Sequence, residues 1–191
     1  MSIASGGTHV FPSDLGWMAL AWNKDQLLRL TFGHPSATAA LASLEADDIH
    51  LPAMTTAIPD RISSLVARLQ SYAAGNDEKF DDIALDLSHL TAFQSRVVRA
   101  CRRIGRGRVR TYGELAEAAG ADGAARAVGN VMAHNRFPII VPCHRVVGSA
   151  GSLGGFSARD GINLKRRMLE MEGAEIARTR NAQEMALGSR Y

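Results

Sequence analysis

A thiol and an imidazole stand side by side in the apolar run VPCHRVV, residues 141–147. A free thiol has a pKa near ~8.5 and is only partly ionised at neutral pH, so a nucleophilic Cys143 needs a base or a positive field. His144 is adjacent, but neighbouring side chains in an extended segment point apart, which predicts proton transfer through a bridging water. Pro142 stiffens the backbone around the thiol. From these residues alone, nucleophilic chemistry and an inert buried cysteine with polar neighbours both remain open.

The first half of the chain has an α/β pattern, and nothing in residues 1–90 indicates chemistry. Apolar runs on either side of a turn at residues 23–25 predict a β-hairpin, and two further stretches have helical periodicity. The four histidines of residues 1–90 are isolated from one another, so no chemistry is assigned to them. The predicted elements are a hairpin of residues 16–22 and 27–32, helices at 36–45 and 59–74, and a strand at 80–87, FDDIALDL.

The second half is predicted to be mainly helical. Thr91 is the expected N-cap of a helix in which Cys101 takes a buried position at helical spacing. Thr111, followed three residues later by Glu114, forms a capping-box pattern at the start of the next helix. Residues 120–123 contain two glycines and break that helix before another begins, which predicts a helix-turn-helix.

The second helix of this pair has one apolar side and one nearly bare side. Its bare side presents Ala125, Arg126 and Gly129, with a single long cation among them. A major-groove reader usually carries several long polar side chains, so this face favours close approach to a narrow groove or insertion of the arginine between bases. Packing against a neighbouring helix, with Arg126 in solvent, is the alternative. The positions predicted to face the core are Ala124, Ala127, Val128, Val131 and Met132.

Composition indicates a folded protein of 191 residues, 46% of them hydrophobic. No apolar run approaches the ~20 residues that cross a bilayer, and the N-terminus lacks the pattern of a signal peptide. Two cysteines fit a reducing compartment, so a cytoplasmic location is predicted. The scattered histidines and cysteines lack the spacing of zinc ligands, and neither a metal nor a cofactor is expected.

The charge is distributed unevenly between the two halves. Residues 1–92 carry 5 Lys and Arg against 11 Asp and Glu, whereas residues 93–191 carry 17 against 8. A basic half joined to an acidic half predicts that the C-terminal part binds a polyanion, most often nucleic acid. A solvated basic surface without a partner is the alternative.

The order and spacing of several motifs resemble one known family. PCHRVV follows RTYGELA, AARAVGNVMAHN and PIIV and precedes GGFS and KRRMLEMEG. Over residues 93–173 this arrangement resembles the O6-alkylguanine-DNA alkyltransferases, the methylated-DNA–protein-cysteine methyltransferases. The resemblance implies an α/β (α+β) fold with a small N-terminal α/β domain of antiparallel sheet (1–90), a helix-turn-helix alkyltransferase domain (91–176) and a C-terminal tail (177–191).

The resemblance also implies a specific reaction. Cys143 would accept the alkyl group from O6-alkylguanine, and by extension from O4-alkylthymine, in one in-line displacement. His144 would take the thiol proton through water, and Glu172 would orient and balance His144. Tyr112 would donate a hydrogen bond to the departing purine. Because a thioether does not readily expel its thiolate, each molecule would act once.

Further residues are assigned to substrate and DNA by the same resemblance. Arg126 would fill the place of the flipped base, and Asn135 would tie the recognition helix to the active-site segment. Ser157 would donate toward O6, and the carbonyls of Cys143 and Val146 would read the exocyclic amine. The implied substrate- and DNA-binding residues are Arg126, Asn135, Ser157, Val146, Gly129 and Ala125.

The implied partner is double-stranded DNA, contacted through the minor groove with little sequence preference. The protein is expected to be a monomer without membrane contact, and cooperative binding on DNA stays open. The chain departs from the family in a longer, more charged loop at residues 151–161 and in Phe156, where the family often has tyrosine. The zinc ligands of some members are absent from the sequence.

Two other classes compete with this interpretation. A lesion-binding relative without chemistry would recruit other repair factors, but such relatives replace the acceptor cysteine, and Cys143 is present. A helix-turn-helix transcription regulator would carry bulky polar residues on the recognition face and a dimerisation element. The sequence contains neither feature.

Overall fold

The chain folds into an antiparallel sheet with one covering helix, followed by a mainly helical half, as the sequence predicted. The computed structural model describes residues 6–46, 51–149, 152–156 and 161–174. The strands are β1 (Gly6–Phe11), β2 (Trp17–Asn23), β3 (Gln26–His34), β4 (Arg110–Thr111) and β5 (Val146–Val147). The helices are α1 (Ala37–Glu45), α2 (Asp60–Ala73), α3 (Ala92–Arg102), α4 (Tyr112–Ala118), α5 (Ala125–Ala133) and α6 (Gly161–Met171).

The three-stranded sheet has the order β1-β2-β3, and both neighbouring pairs are antiparallel. The predicted hairpin is confirmed, with a turn in which Lys24 has a φ of 49°. The central strand β2 is apolar from Trp17 to Trp22, and both of its faces are covered. Ala19 and Ala21 pack with α1 on one face, whereas Leu20 and Trp22 enter the main core on the other.

The predicted strand at residues 80–87 is wrong. Its only pairing with another described segment is an isolated bridge between Leu27 and Leu85, where the Leu27 amide donates to the Ala84 carbonyl at 2.8 Å. The carbonyls of Phe80 and Ile83 instead accept hydrogen bonds from the Arg102 guanidinium. Arginine therefore satisfies carbonyl groups that a strand would have paired with a neighbouring strand.

Both helix starts predicted in the second half are confirmed. Thr91 caps α3 and Thr111 caps α4, each in a complete capping box. The turn between α4 and α5 contains glycines at positions 120 and 123, both with positive φ. The predicted core side of α5 is confirmed except at Ala127, which is exposed because the buried stripe of this short helix is narrower than expected and runs through Val128, Val131 and Met132.

A short parallel ladder places the helix-turn-helix beside the VPCHRVV segment. Arg110 pairs with Val146, and Thr111 pairs with Val147, so α4 begins directly alongside the cysteine-bearing turn. The main apolar core is continuous across the two halves and contains both Tyr72 of α2 and Cys143. Among the residues described, no helix has the length and apolar character needed to cross a membrane.

The capping box of α4 supplies a test of this arrangement. Thr111→Ala removes the hydroxyl that accepts from the Glu114 amide at 3.2 Å, and we expect the free energy of unfolding to fall by about 1 kcal/mol. Urea unfolding measures this change. Thr56→Ala, an exposed threonine outside any helix, is the control and should stay within about 0.5 kcal/mol of wild type. An unchanged midpoint for Thr111→Ala would show that the cap does not stabilise α4.

Candidate active site

Cys143 begins a single 3₁₀ turn, Cys143–Arg145, between Pro142 and strand β5. The turn is fixed by backbone hydrogen bonds from the Cys143 amide to the Val141 carbonyl, 2.8 Å, and from the Arg145 amide to the Pro142 carbonyl, 2.9 Å. The side chain is buried, with 9% of its residue surface exposed. Cys143 lines a cavity of about 850 Å³, and Tyr112 lines the same cavity. The thiol is thus held still and mostly out of solvent, but within reach of a molecule in the cavity.

The thiol of Cys143 is surrounded by groups that act on its ionisation in opposite directions. Burial raises its pKa above the ordinary value, and hydrogen bonding from the Asn135 side chain and the positive charge of Lys165 lower it in part. Asn135 also donates from Nδ2 to the Val141 carbonyl at 2.9 Å and accepts from the Phe137 amide at 3.0 Å. Asn135, just beyond α5, therefore joins the end of that helix to the segment that carries the thiol. Because the resting thiol is protonated, a base must remove its proton before it attacks an electrophile.

His144 and Glu172 form a fully buried pair. His144 Nε2 lies 3.0 Å from Glu172 Oε1, and both side chains are almost completely inaccessible to solvent. Burial lowers the pKa of His144 despite the carboxylate beside it, which keeps the imidazole neutral. Its other nitrogen, Nδ1, is buried and has no hydrogen-bond partner among the residues described. Nδ1 is thus the ring nitrogen that is not occupied by another of the described residues.

Glu172 is the centre of a hydrogen-bond network that reaches three other side chains. Arg145 donates to it twice, from Nε to Oε2 at 2.9 Å and from Nη2 to Oε1 at 2.8 Å. Tyr72 of α2 donates from its hydroxyl to Oε1 at 2.7 Å. Burial alone would raise the pKa of Glu172, but the hydrogen bonds from His144 and Arg145 outweigh it and lower the pKa well below the usual range. The carboxylate therefore stays ionised in the protein interior.

Lys165 is a buried cation on the core side of α6. Its ammonium donates to the Val146 carbonyl at 2.5 Å and lies 5.9 Å from the centre of the Phe156 ring. Burial lowers its pKa to about 8, and the nearby thiols of Cys143 and Cys101 oppose that shift. Lys165 thus supplies positive charge to the cysteine and also occupies the carbonyl of Val146, one of the predicted substrate contacts.

Tyr112 forms a wall of the cavity at the first position of α4. A Cβ atom added at Gly129 would lie 3.9 Å from its ring, and one added at Gly154 would lie 3.1 Å from it. Gly154 also has a φ of 66°, in the region that favours glycine. The ring is half-buried, and burial raises the pKa of its hydroxyl, which stays a donor at neutral pH.

Three of the residues implied to bind substrate or DNA, Ala125, Arg126 and Gly129, lie on α5. Arg126 is exposed near the start of this helix, Ala125 and Gly129 are partly exposed, and Gly129 also lines the cavity. The thiol and the bare helix face therefore belong to one continuous surface. Ser157 lies outside the described residues.

Three members of this site were not assigned roles from the sequence: Tyr72, Arg145 and Lys165. Arg145 was visible in the motif, but nothing in the sequence indicated its paired hydrogen bonds to Glu172. Lys165 has a detectable signal, because it interrupts the apolar stripe of α6 between Leu164 and Met168. Tyr72 has none, since its contact joins residues 100 positions apart.

The fold and the site define a class of protein in which a small α/β unit precedes a helix-turn-helix unit that carries a buried thiol. The family described as "6-O-methylguanine DNA methyltransferase, DNA binding domain" matches residues 92–174. The methylated-DNA–protein-cysteine methyltransferase of Mycobacterium tuberculosis is 46% identical over 142 residues, which cover 73% of this chain and 82% of that protein. The enzyme of the same name from Mycobacterium leprae is 40% identical over 146 residues, 75% of this chain and 85% of that protein.

Solved structures give the same result. The crystal structure of Mycobacterium tuberculosis OGT in complex with DNA is similar with a TM-score of 0.70 and 39% identity, over 87% of this chain and 92% of that chain. The O6-methylguanine-DNA methyltransferase of Pyrococcus kodakaraensis shares the fold, with a TM-score of 0.62 at 24% identity. The chain belongs to the methylated-DNA–protein-cysteine methyltransferase family.

Proposed function

We propose that this protein repairs alkylated DNA by transferring the alkyl group from O6 of guanine to the sulfur of Cys143. The observation that carries the proposal is the position of Cys143 at a cavity lined by Tyr112, next to the buried pair of His144 and Glu172. A nucleophile and a hydrogen-bond donor thereby line one cavity, and a neutral base adjoins the nucleophile in the protein interior. Membership of the family supports the same reaction class.

The thiol proton leaves by way of His144. The imidazole is neutral, its Nε2 faces Glu172, and its Nδ1 is the free acceptor. The proton passes from Sγ to Nδ1 through a bridging water, and Glu172 stabilises the imidazolium that forms. Lys165 and the hydrogen bond from Asn135 stabilise the thiolate during the same step.

The thiolate then attacks the alkyl carbon in line with the C–O bond. The S–C bond forms as the C–O bond breaks, and the electron pair of that bond remains on guanine O6. Tyr112 donates a hydrogen bond to the purine as this charge develops, and the departing guanine takes up one proton while the imidazolium of His144 releases the one that came from the thiol, so that both return to the neutral form. The product thioether does not expel its sulfur, so the protein is consumed in one turnover. The same displacement serves O4-alkylthymine, whose alkyl group is also carried by an exocyclic oxygen.

The alkylated base reaches Cys143 by leaving the stack. Ala125 and Gly129 allow α5 to seat in the minor groove, which is only about 6 Å wide. Extruding the base costs a few kcal/mol, and the exposed Arg126 fills the vacated space. Contacts to phosphates from the basic half make the affinity fall with salt and depend little on sequence. The chain acts as a monomer, since one subunit carries every residue in this scheme.

A duplex carrying one O6-[³H]methylguanine tests the proposal. Incubation with excess protein should move the label from DNA to protein, and incubation with excess DNA should stop after one methyl group per protein molecule. Continued release of label beyond one equivalent would contradict a single-use acceptor. Binding of the lesion with no transfer would instead indicate a protein that recognises damage without chemistry.

Arg126→Ala tests the role of the arginine in base flipping. We expect the rate of transfer from duplex DNA to fall about tenfold or more, because base extrusion loses the group that offsets its cost of a few kcal/mol. Reaction with the free base O6-methylguanine should be unchanged, because a free base needs no extrusion. Arg61→Ala removes the same charge from an exposed ion pair with Asp25 and is the control. Equal losses with duplex and free base would rule out the base-replacement role.

A further inference from the structure

The residue least expected in the site is Tyr72, which comes from α2 in the N-terminal half. Its hydroxyl lies 2.7 Å from Glu172 Oε1 and 3.3 Å from His144 Nε2, and all three groups are buried. Neither the sequence nor the reaction scheme above gives it a task. A buried hydroxyl that touches both members of a proton-transfer pair is placed to act on their protonation.

The hydrogen atoms of this cluster can be assigned from its geometry. Tyr72 has one proton, and the carboxylate of Glu172 is both the closer acceptor and the charged one. The hydroxyl oxygen of Tyr72 then faces His144 with its lone pairs. Nε2 of His144 is therefore surrounded by two acceptors, Tyr72 Oη and Glu172 Oε1, and must itself carry the ring proton.

This assignment leaves Nδ1 of His144 as the basic nitrogen. Nδ1 is the buried atom without a hydrogen-bond partner among the described residues, as a base that takes a proton through water requires. The hydroxyl of Tyr72 also shares the charge of Glu172 Oε1 with His144 and with Nη2 of Arg145. A carboxylate oxygen shared among three donors stabilises an imidazolium less than one with fewer donors, which keeps the resting imidazole neutral.

Tyr72 is held in place by contacts that are independent of the reacting groups. Its ring packs edge-on against Phe80, with ring centroids 6.2 Å apart. The Arg106 guanidinium lies 6.0 Å from the ring centroid and donates to the carbonyls of Gly75, just beyond α2, at 2.6 Å and of Met171 in α6 at 2.9 Å. Arg106 thus ties the C-terminal end of α2 to the end of the helix that leads to Glu172.

We propose that Tyr72 is a positioning residue of the N-terminal half that fixes His144 as a neutral imidazole with its proton on Nε2. This inference rests on the proposed alkyl transfer to Cys143. It gives the N-terminal half a direct part in the reaction. Within the described part of the chain, the charged and titratable groups that face His144 are Glu172, Tyr72, Arg145, Lys165 and Cys143, and Tyr72 alone among these comes from the N-terminal half.

Tyr72→Phe tests the inference in the full-length protein, because it removes the hydroxyl and keeps the ring. Without the donated proton, Glu172 concentrates its charge on His144, so the pKa of the imidazole should rise. The acid limb of the single-turnover rate should therefore move to higher pH. We expect a loss of about tenfold at mildly acidic pH, the scale of one hydrogen bond to a charged group, and a rate near wild type at alkaline pH.

Nitrogen-15 NMR of His144 gives a second, independent measurement. In wild type Nε2 should show the signal of a protonated ring nitrogen and Nδ1 that of an unprotonated one, whereas in Tyr72→Phe the imidazolium should persist to higher pH. Phe80→Leu removes the edge-on ring contact but keeps the hydroxyl of Tyr72 and its hydrogen bond to Glu172, and it should lower stability without shifting the pH profile.

The possible outcomes separate the two proposals. A Tyr72→Phe variant with the pH profile and imidazole titration of wild type overturns the role of Tyr72 alone, provided that wild type methylates Cys143. A rate that falls equally at every pH also overturns it, because that result indicates a purely structural contact. If wild type transfers no methyl group to Cys143, the proposed function itself fails.

Discussion

Cys143→Ala is expected to abolish methyl transfer to the protein while the protein still folds and binds lesion-containing DNA. The substitution removes the only thiol among the described residues that line the cavity of about 850 Å³. No other side chain in the described lining carries a comparable nucleophile, so no slower route should replace it. Labelled-methyl transfer measures the reaction, and a gel shift with an O6-methylguanine duplex measures binding.

Cys101→Ala is the matched control for this experiment. Cys101 is also a buried, unpaired cysteine, but it lies within α3, and burial raises the pKa of its thiol well above the ordinary value. The control should transfer the methyl group at the wild-type rate. The opposite result would be residual transfer in Cys143→Ala that is lost only when Cys101 is replaced as well. That result would show that Cys101 accepts the methyl group and would contradict the proposed mechanism.

Glu172→Gln is expected to have the largest effect on stability and to slow transfer as well. It leaves the buried guanidinium of Arg145 without its charged partner, and breaking such a pair typically costs about 3–5 kcal/mol. His144 also loses the carboxylate that stabilises its imidazolium, so the single-turnover rate should fall about a hundredfold. Glu170→Gln, an exposed carboxylate two positions earlier, should leave the stability within about 0.5 kcal/mol of wild type.

The pH dependence of unfolding checks the same network. The pKa of Glu172 is lowered in the folded state, so its contribution to stability is complete above the unfolded pKa of about 4.3 and is lost as the pH falls through the folded value. The pKa of His144 is lowered in the folded state too. Its contribution to stability is therefore complete above the unfolded pKa of about 6.5 and is lost as the pH falls through the folded value. Urea midpoints should fall from pH 7 to pH 4 as His144 becomes protonated on unfolding, and fall further below about pH 4 as the contribution of Glu172 is lost. A Glu172→Gln protein that loses as much stability as wild type below about pH 4 would contradict this account.

The sequence predicted most of the local structure because its signals are local. The capping boxes at Thr91 and Thr111 each lie within four residues, and the hairpin of β2 and β3 closes through a short turn. The strand predicted at residues 80–87 failed for the opposite reason. Its alternating pattern is real, but the Arg102 guanidinium, from a helix that begins later in the chain, takes two of its carbonyls.

In the candidate site, too, the residues with local sequence signals could be predicted and those that depend on long-range contacts could not. Cys143, His144 and Tyr112 could be selected from motifs, whereas the action of His144 through water stays a prediction, since the structure shows only that its Nε2 faces Glu172. Tyr72 could not be selected, because only folding brings it to residue 172. Lys165 could have been found as a charged residue within an apolar stripe, although its contact with the Val146 carbonyl requires the three-dimensional structure.

Peptide mass mapping after incubation with a duplex carrying one O6-methylguanine is the most direct test of the central claim. The peptide that contains Cys143 should gain one methyl group in place of its thiol proton, and the peptide that contains Cys101 should be unchanged. The repaired duplex should then contain guanine. An unmodified Cys143 peptide, recovered from protein that binds the lesion tightly, would contradict the account.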